Sequence, residues 1–524
     1  MRTVLFGLDG ATYTVLEHLI ARGVMPNLGR FLQRGVRATL QSTPNPLTPQ
    51  AWTTLSTGRG AGQHGIYDFL RREANAKGVF WRMNDARNVR CETIWKYASN
   101  RGRRVTVLNY ILTAPPEPIA GHVLPGFISG RHLRRSTYPA DLFERLQQAS
   151  GVEAKILGMD LDLEQKALQD MNPDLWCDWI RHHIQRERAW FGVMEHLMTH
   201  EPSDLTAIVL DGVDKIQHLA YPYLDPAFLP DQPTAWEAEV IDVCHSYFRQ
   251  VDDFLGRVCD LVGDWGRVFI ASDHGFTASH EVVYINKWLH DQGLLRWRGD
   301  VAEDDQNSFF GDRLADLANS IDLANTRAYA MTPSSNGIHI TVPPEDYEAF
   351  RDDLIARLHR LEAPDGGRVI ASVQKREEIY SGPQTDLAPD LTLTLRDHGF
   401  ISVLNARAAI IPRQKLAGTH HPHGVLMGAG VGVRAGSDAG HLQILDVAPL
   451  LLHSLGLEIP GEMEGIFPAA VYDPAYLASD RPRLARHAHA APPTNTPDPE
   501  DEVAEMDEAS ESVLLNRLKA LGYL

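Results

Sequence analysis

Residues 205–218 read LTAIVLDGVDKIQH. The uncharged run Leu205–Leu210 has the length and composition of a buried strand, and it stops at Asp211-Gly212. Beyond it, Asp214 and His218 stand one helical turn apart, so a carboxylate and an imidazole share a face. The same grammar recurs twice. VLFGLDG (4–10) is an apolar run ending at Asp9, and VFIASDHG (268–275) ends at Asp273 and His274. Helical patterns separate the runs: Thr14–Arg22 after the first, Leu175–Met198 before LTAIVL, and Glu237–Leu261 before VFIA. Arg104–Leu108 is a further strand behind the amphipathic Thr93–Asn100. Strands alternating with helices predict an α/β fold with a doubly wound, largely parallel sheet. Ligands of such sheets gather beyond the carboxyl ends of the strands, where Asp9, Asp211, Asp214, Asp273 and His274 fall. One Asp after a strand is commonly a cap or turn former. Three strands ending this way are hard to explain by turns.

The remaining chain sets bounds. With 524 residues, about 150 per domain gives roughly three or four units, although one large sheet with insertions absorbs the same length. Hydrophobic residues at 44% and charged residues at 23% exclude a fibrous or mostly disordered chain. The net charge of −18 opposes general nucleic-acid binding but not a small phosphorylated substrate met by a local cation. Four cysteines without a CxxC pair make neither a disulfide framework nor a thiolate zinc site. No apolar stretch is long enough for a membrane span and the N-terminus lacks a signal-like core, so a soluble, cytoplasmic protein is expected. Oligomeric state is not readable.

Residues 1–280 and 401–478 carry the core pattern, with LQILDVAPLLLHSLGLEIP (442–460) as a late helix ending at Gly456. Residues 281–400 read as an inserted α+β cap. Residues 479–512 are an acidic, proline-rich linker, with eight acidic and no basic residues from Asp498 to Glu511. Residues 513–524 form a short amphipathic helix. RPRLARHAHA (481–490) is a small basic, histidine-bearing run, with metal binding there only a lesser reading.

Metal-competent residues are Asp214, His218, Asp9, Asp273, His274 and the loop histidines His420, His421 and His423 of AGTHHPHGVLMGAG (417–430). Carboxylate and imidazole without thiolate suit Zn²⁺ or Mn²⁺ in a catalytic site. In STPNPLTPQAWTTLSTG (42–58), Thr48-Pro49 has the form of an N-cap followed by proline at the first helical position, with the helix running to about Thr57 and closed by Gly58. A hydroxyl there sits at the positive end of the helix, where free N–H groups attract anions.

FGLDG, LTPQAWTTLSTG…GQHGI, DKIQH, SDHGF and GTHHPHG occur in the order and approximate spacing of the alkaline phosphatase superfamily. The chain most resembles its type I phosphodiesterase/nucleotide pyrophosphatase branch, over roughly residues 1–475. GRRVTVLNYILTAPPEPIAGHVLPGF, INKWLHDQGLL and ILDVAPLLLHSLGLEIPGEMEG add secondary matches. The resemblance implies two divalent metal ions, zinc first and manganese second. One would be held by Asp214, His218 and His420, the other by Asp9, Asp273 and His274 with the Thr48 oxygen. His421 and His423 stand as substitutes for His420. It further implies in-line displacement at phosphorus through a phospho-threonine on Thr48, which a lowered hydroxyl pKa makes chemically sensible.

The chain departs from the family pattern at Phe69 of HGIYDFLRR, where the family carries an Asn that donates to a phosphoryl oxygen. Arg71 and Arg72 follow and offer guanidinium groups instead, favouring a more highly charged phosphate. Pro49 has no N–H, so the Gln50 and Ala51 amides are left to bind an oxyanion.

The expected activity is therefore a phosphodiesterase or phosphomonoesterase. A sulfatase would need a Cys or Ser in a Cys/Ser-x-Pro-x-Arg motif, which Thr48-Pro49-Gln50 does not supply, and the serine segment of a phosphotransferring mutase has no counterpart. A non-catalytic metal-stabilised binding protein would not need the ligands and hydroxyl intact. Since the acidic tail adds no ligand to the core, deletion of residues 480–524 is expected to leave turnover nearly unchanged; steady-state rates of the truncated chain check this.

Overall fold

The computed structural model describes residues 2–75, 78–158, 173–304, 320–332 and 334–485, with the backbone alone described for 72–75, 78–81, 173 and 174. The linker beyond 485 and the C-terminal helix at 513–524 lie outside the described residues. The strands run in chain order β1 (Thr3–Leu8), β2 (Val36–Gln41), β3 (Leu70–Asn75), β4 (Gly78–Met83), β5 (Val105–Leu108), β6 (Gly121–Leu124), β7 (Leu205–Leu210) and β8 (Arg267–Ala271). They continue with β9 (Gly275–Tyr284), β10 (Ala328–Tyr329), β11 (Gly337–Ile340), β12 (Ile370–Lys375), β13 (Leu391–Leu395), β14 (Ile401–Ser402), β15 (Ile410–His421), β16 (His423–Gly430) and β17 (Ser437–Gln443).

Among the described residues, eight strands form the central sheet in the order β17-β2-β16-β8-β1-β7-β5-β6. Only β16 runs against the rest of this sheet. Along β1, Val4, Phe6 and Leu8 join one apolar cluster while Leu5 joins another, as the period-two pleat requires. Both faces are therefore covered, the expected state of parallel strands. One face carries helices α1 (Tyr13–Ala21) and α2 (Pro26–Arg34) with three later helices, α4 (Pro173–His200), α5 (Gly212–Ala220) and α6 (Ala235–Val262). The other face carries α3 (Thr48–Thr57) and α7 (Val447–Ser454). Doubly wound α/β is thus the observed architecture.

The parts nearest the site need close approach. Gly7 of β1 faces Trp52 of α3, and a Cβ there would stand 2.8 Å from the indole Cη2. Gly10 turns the chain after β1 with φ +68, and its Cβ would meet the Phe276 ring at 2.7 Å. Both positions exclude a side chain on steric grounds.

A second, smaller unit packs on this core. Its apolar cluster runs from Val283 to Ile411, and strands β10-β11-β13-β12 form its own sheet. Residues 401–411, read from sequence as core, pack here instead. They join the cap because β15 pairs with β9 and carries the chain out of and back into the central sheet. Residues 481–485 also depart from the linker reading: the Ile459 N–H donates to the Arg483 carbonyl at 2.7 Å and the Ala485 N–H to the Ile459 carbonyl at 2.9 Å, so this stretch is docked. The informative truncation begins after Ala485. No helix among the described residues is long and apolar enough to cross a membrane.

Asp211, one of the strand-end carboxylates, is consumed by a buried network. Arg186 Nη1 of α4 lies 2.5 Å from its Oδ1, Lys215 Nζ 2.6 Å from its Oδ2, and Asn109 Nδ2 donates to it at 3.0 Å. Glu187 accepts the Gly212 N–H at 2.7 Å and the Tyr247 hydroxyl at 2.6 Å. The network pins the first turn of α5, the helix that carries Asp214 and His218. Arg186→Met is expected to lower stability by about 3 kcal/mol, since it leaves a buried carboxylate short of a partner. Denaturant unfolding of the variant, with the slope compared to wild type, measures it.

Candidate active site

Three adjacent strands, β8, β1 and β7, end at one edge of the sheet, and their ends place Asp273-His274, Asp9 and, one helical turn into α5, Asp214. The histidines of 417–430 are not in a loop. His420 and His421 close β15, and His423 opens β16 after a one-residue turn at Pro422. β15 pairs with β9 so that His420 lies opposite Phe276.

Two groups of potential ligands result, Asp214 with His218 and His420, and Asp9 with Asp273 and His274; within each the ligand atoms lie within 4.8 Å of one another. His420 Nε2 and His218 Nε2 stand 3.2 and 3.3 Å from Asp214 Oδ1. His274 Nε2 is 3.2 Å from Asp273 Oδ2, 3.6 Å from Asp9 Oδ1 and 4.0 Å from Asp214 Oδ1, so it bridges the groups. The His274 and His420 rings stack with centroids 3.5 Å apart. Thr48 Oγ1 lies 3.4 Å from His274 Nε2.

The second ring nitrogens explain the orientation. His218 Nδ1 meets the Gly418 carbonyl at 3.3 Å, His420 Nδ1 the Pro46 carbonyl at 2.6 Å, and His274 Nδ1 the Gly275 carbonyl at 3.1 Å. A carbonyl accepts only, so each Nδ1 is assigned the proton and each Nε2 a lone pair turned into the cluster. Histidines that bind metal are oriented in this way. The lone pairs of His218 and His420 face each other across 3.1 Å, which is repulsive unless a cation or proton intervenes. Asp9 Oδ1 and Asp273 Oδ2 are buried and find no hydrogen-bond partner among the described residues. The donor set fits divalent cations at both groups.

Electrostatics agree. Burial, then Asp273 and Asp214, push the Asp9 carboxyl well above its usual value. Burial also works to raise Asp214, yet His218 and His420 outweigh it and hold that carboxyl well below the ordinary range. Burial would lower His274, but Asp273 beside it prevails and raises it, whereas burial and the neighbouring His274 push His420 down to about 3. Three carboxylates packed this closely call for positive charge.

The helix of Thr48 differs from its sequence reading. Leu47, with extended φ −116 and ψ 132, is the N-cap, and Thr48 is already the first helical residue with Pro49 behind it. The Thr48 hydroxyl is not spent on capping. Gly58 closes the helix in the left-handed region, φ +64, as expected. The Ala51 amide is committed to the Leu47 carbonyl at 2.8 Å, which removes it as an oxyanion donor and leaves the Gln50 N–H.

Other expected residues are placed elsewhere. Arg71 donates to the Met83 carbonyl at the end of β4 and to Asn88 Oδ1 in the turn that follows, neither of them a residue of the cluster. The Arg72 side chain lies outside the described residues. His421 packs against His398 and His423, with centroids 4.6 and 4.9 Å apart, on the side of β15 away from the cluster. The Phe69 side chain is buried in the apolar cluster that holds Leu47, Ala51 and Trp52, and a phenyl ring has no hydrogen-bond donor to offer a phosphoryl oxygen.

Two contributors escaped the sequence reading. Trp52 Nε1 donates to Asp9 Oδ2 at 3.3 Å, and Gln217 Nε2 donates to the Gly10 carbonyl at 2.8 Å, holding the turn after β1. The spacing of Trp52, one helical turn beyond Thr48, was the available signal.

Asp68 clamps the core to the cap. Its buried carboxylate accepts from the hydroxyls of Thr332 and Ser334, the latter at 2.9 Å. Burial nonetheless raises it from 3.8 to about 6. A carboxyl raised on folding adds most stability below its unfolded value and loses it as pH rises through about 6. Between pH 4 and 7.5 the wild type is therefore expected to lose roughly 2–3 kcal/mol relative to Asp68→Asn. Denaturation curves of both proteins at the two pH values check this.

The sequence model of the family described as Type I phosphodiesterase / nucleotide pyrophosphatase matches residues 3–424. No curated protein sequence matches the chain. Among solved structures, the chain is similar to phosphonoacetate hydrolase from Sinorhizobium meliloti 1021 in complex with phosphonoformate, at 16% identity and TM-score 0.52, over 87% of this chain and 95% of that one. It is also similar to human ectonucleotide pyrophosphatase / phosphodiesterase 5, at 15% identity and TM-score 0.52, over 90% of this chain and 100% of that one. At such identities the likeness establishes the fold.

Proposed function

From the premise that this chain belongs to the type I phosphodiesterase/nucleotide pyrophosphatase family, whose members hydrolyse phosphoric esters, we propose that it is a two-metal phosphohydrolase with Thr48 as nucleophile. The carrying observation is the convergence of three imidazole Nε2 atoms and three buried carboxylates beside the Thr48 hydroxyl. Asp214, His218 and His420 would hold one cation, and Asp9, Asp273 and His274 the other, with zinc the first candidate and manganese the second. Bound there, divalent cations supply Lewis-acid stabilisation of phosphoryl oxygens and lower the pKa of a nearby hydroxyl.

The chain's own residues do the rest. Thr48, at the first position of α3, presents its oxygen to phosphorus with the positive end of the helix behind it. Thr48 Oγ1 gives up its proton and bonds to phosphorus as the P–O bond to the ester oxygen breaks and that oxygen takes up a proton. Water then attacks the phospho-threonine in line, breaks the P–Oγ1 bond and returns the proton to Thr48, so that two inversions at phosphorus give net retention. The Gln50 amide and the helix N-terminus receive charge on the transferring group. Asp9 is kept in register by the Trp52 indole N–H, and the three imidazoles by the carbonyls of Gly418, Pro46 and Gly275. The motif set favours a diester. A monoester is the second reading, supported by Phe69, which removes the neutral donor that a diester oxygen would use.

Reconstituted protein is expected to hold two divalent ions per chain by elemental analysis, and Asp214→Ala to lose the one beside His420 while remaining folded. Thr48→Ala, with its metals retained, is expected to lower turnover of aryl phosphate or aryl phosphodiester by roughly a thousandfold or more. Near-wild-type turnover would reject Thr48 as nucleophile. Faster turnover of an aryl sulfate, or of phosphonoacetate, than of either phosphate ester would reject the substrate class.

A further inference from the structure

The cap reaches the active site through buried hydrogen bonds along two routes. On the first, Asn45, 3% exposed, donates from Nδ2 to the Ser334 carbonyl of the cap at 2.8 Å. Ser334 is itself anchored, since its hydroxyl donates to Asp68 Oδ1 at 2.9 Å. The Asn45 carbonyl accepts twice, from Thr43 Oγ1 at 2.6 Å and from the Leu47 N–H at 2.8 Å. The Pro46–Leu47 peptide is trans, so its carbonyl points opposite to its N–H. With that N–H turned back to Asn45, the Pro46 carbonyl is aimed at His420 Nδ1, 2.6 Å away. The same peptide leads into Thr48, because Leu47 is the N-cap of α3.

The second route starts two residues further along the cap. Asn336 sits in the left-handed region, φ +45, a conformation that asparagine tolerates. Its Nδ2 donates to the Gly399 carbonyl at 3.2 Å, and its Oδ1 accepts the Ile401 N–H at 2.9 Å. These bonds grip the chain on either side of Phe400, whose ring meets the His420 ring edge-on at 4.8 Å and 75°. The Asn336 carbonyl accepts the Leu393 N–H of β13 at 2.8 Å, which ties the turn to the cap sheet. His420 is thus held at Nδ1 by one branch of the cap turn and on its ring by the other. Neither asparagine belongs to the two ligand groups.

We propose that Asn45 and Asn336 are positioning residues through which the docked cap sets the orientation of His420 and of the peptide ahead of Thr48. This role rests on the phosphohydrolase reading above and adds the cap to the parts that reading needs. A histidine that binds metal loses about ten- to a hundredfold in affinity or activity when the group holding its other nitrogen is lost. Here that group is a backbone carbonyl, and its direction depends on Asn45. A purely structural role would lower the melting temperature alone. A positioning role also weakens the metal site and slows turnover in protein that remains folded.

The test uses the full-length protein. Zn²⁺ binding to the metal-free chain is titrated against a chromophoric chelator. Hydrolysis is followed at saturating Zn²⁺ with whichever of an aryl phosphate and an aryl phosphodiester the wild type prefers. Asn45→Ala is expected to weaken one of the two Zn²⁺ sites about tenfold and to leave the other within about twofold. Its kcat is expected to fall about tenfold with KM within about twofold, since Asn45 acts through His420 and not on the substrate. Asn336→Gly keeps the left-handed backbone and removes only the two side-chain bonds, so it is expected to shift both readouts the same way. It decides the matter if Asn45→Ala does not fold. Asn84→Ala is the stability control, because Asn84 Nδ2 donates to the Asp68 carbonyl at 2.8 Å, a bond of the same clamp that leads to neither His420 nor Phe400. It is expected to lower the melting temperature with Zn²⁺ affinity unchanged. Wild-type Zn²⁺ affinity and kcat in folded Asn45→Ala or Asn336→Gly, or an equal loss in Asn84→Ala, overturns the positioning role alone. A wild-type protein that binds no Zn²⁺ and hydrolyses neither ester overturns the phosphohydrolase reading.

Discussion

Asp9 and Asp273, at the ends of the neighbouring strands β1 and β8, and Asp214, one helical turn beyond the end of the adjacent β7, are all nearly fully buried, and their mutual repulsion is the constraint around which the molecule is organised. Like charges at this separation in a low-dielectric site cost several kcal/mol unless cations or donors compensate them. The chain supplies part of the compensation from the indole of Trp52 and the backbone N–H of Gly10 to Asp273 at 3.0 Å. The remaining acceptor capacity is what makes divalent cations fit.

That concentration of charge needs a rigid surround. The sheet provides it by covering both faces of β1, β7 and β8 with apolar side chains, so that the strand ends do not shift independently. α5 is held at its first turn by the Arg186–Asp211–Lys215 network, which keeps Asp214 and His218 on the face toward His420. The buried ion pairs are poor evidence for net stability, but they fix a position. Close approach at Gly7 and the left-handed turn at Gly10 then let Trp52 and Phe276 seal the space around the carboxylates.

The helix of Thr48 shows how a small geometric difference bears on chemistry. A threonine at the N-cap spends its hydroxyl on a backbone amide of the helix. Here Leu47 occupies that position in extended conformation, and the hydroxyl of Thr48 is turned toward His274 instead. Thr-Pro is compatible with both arrangements, since proline is tolerated at the first or second helical position. The decision lies in the packing of Leu47 into the apolar cluster beneath α3, a long-range contact invisible to local spacing.

Much of the framework was legible because it rests on short-range rules. The strands at 4–8, 205–210 and 268–271, the long helices between them and the carboxylates at their ends follow from periodicity and from the turn residues that stop each run. The ordered motifs extended this to a set of candidate ligands, whose side chains lie together in the fold. Arg71, Asp211 and the choice among three histidines were decided only in three dimensions. Arg71 is drawn to the end of β4 and the turn after it, and Asp211 into a network with a helix from earlier in the chain. In GTHHPHG, the pleat of β15 alternates side chains between faces, and its register with β9 sets His420 opposite Phe276 and inside the cluster. His421 must then point the other way, and Pro422 carries His423 into the next strand. Sequence determined that a histidine would be available there; strand pairing between distant segments determined which one, because a shift of one residue reverses every side chain on a strand.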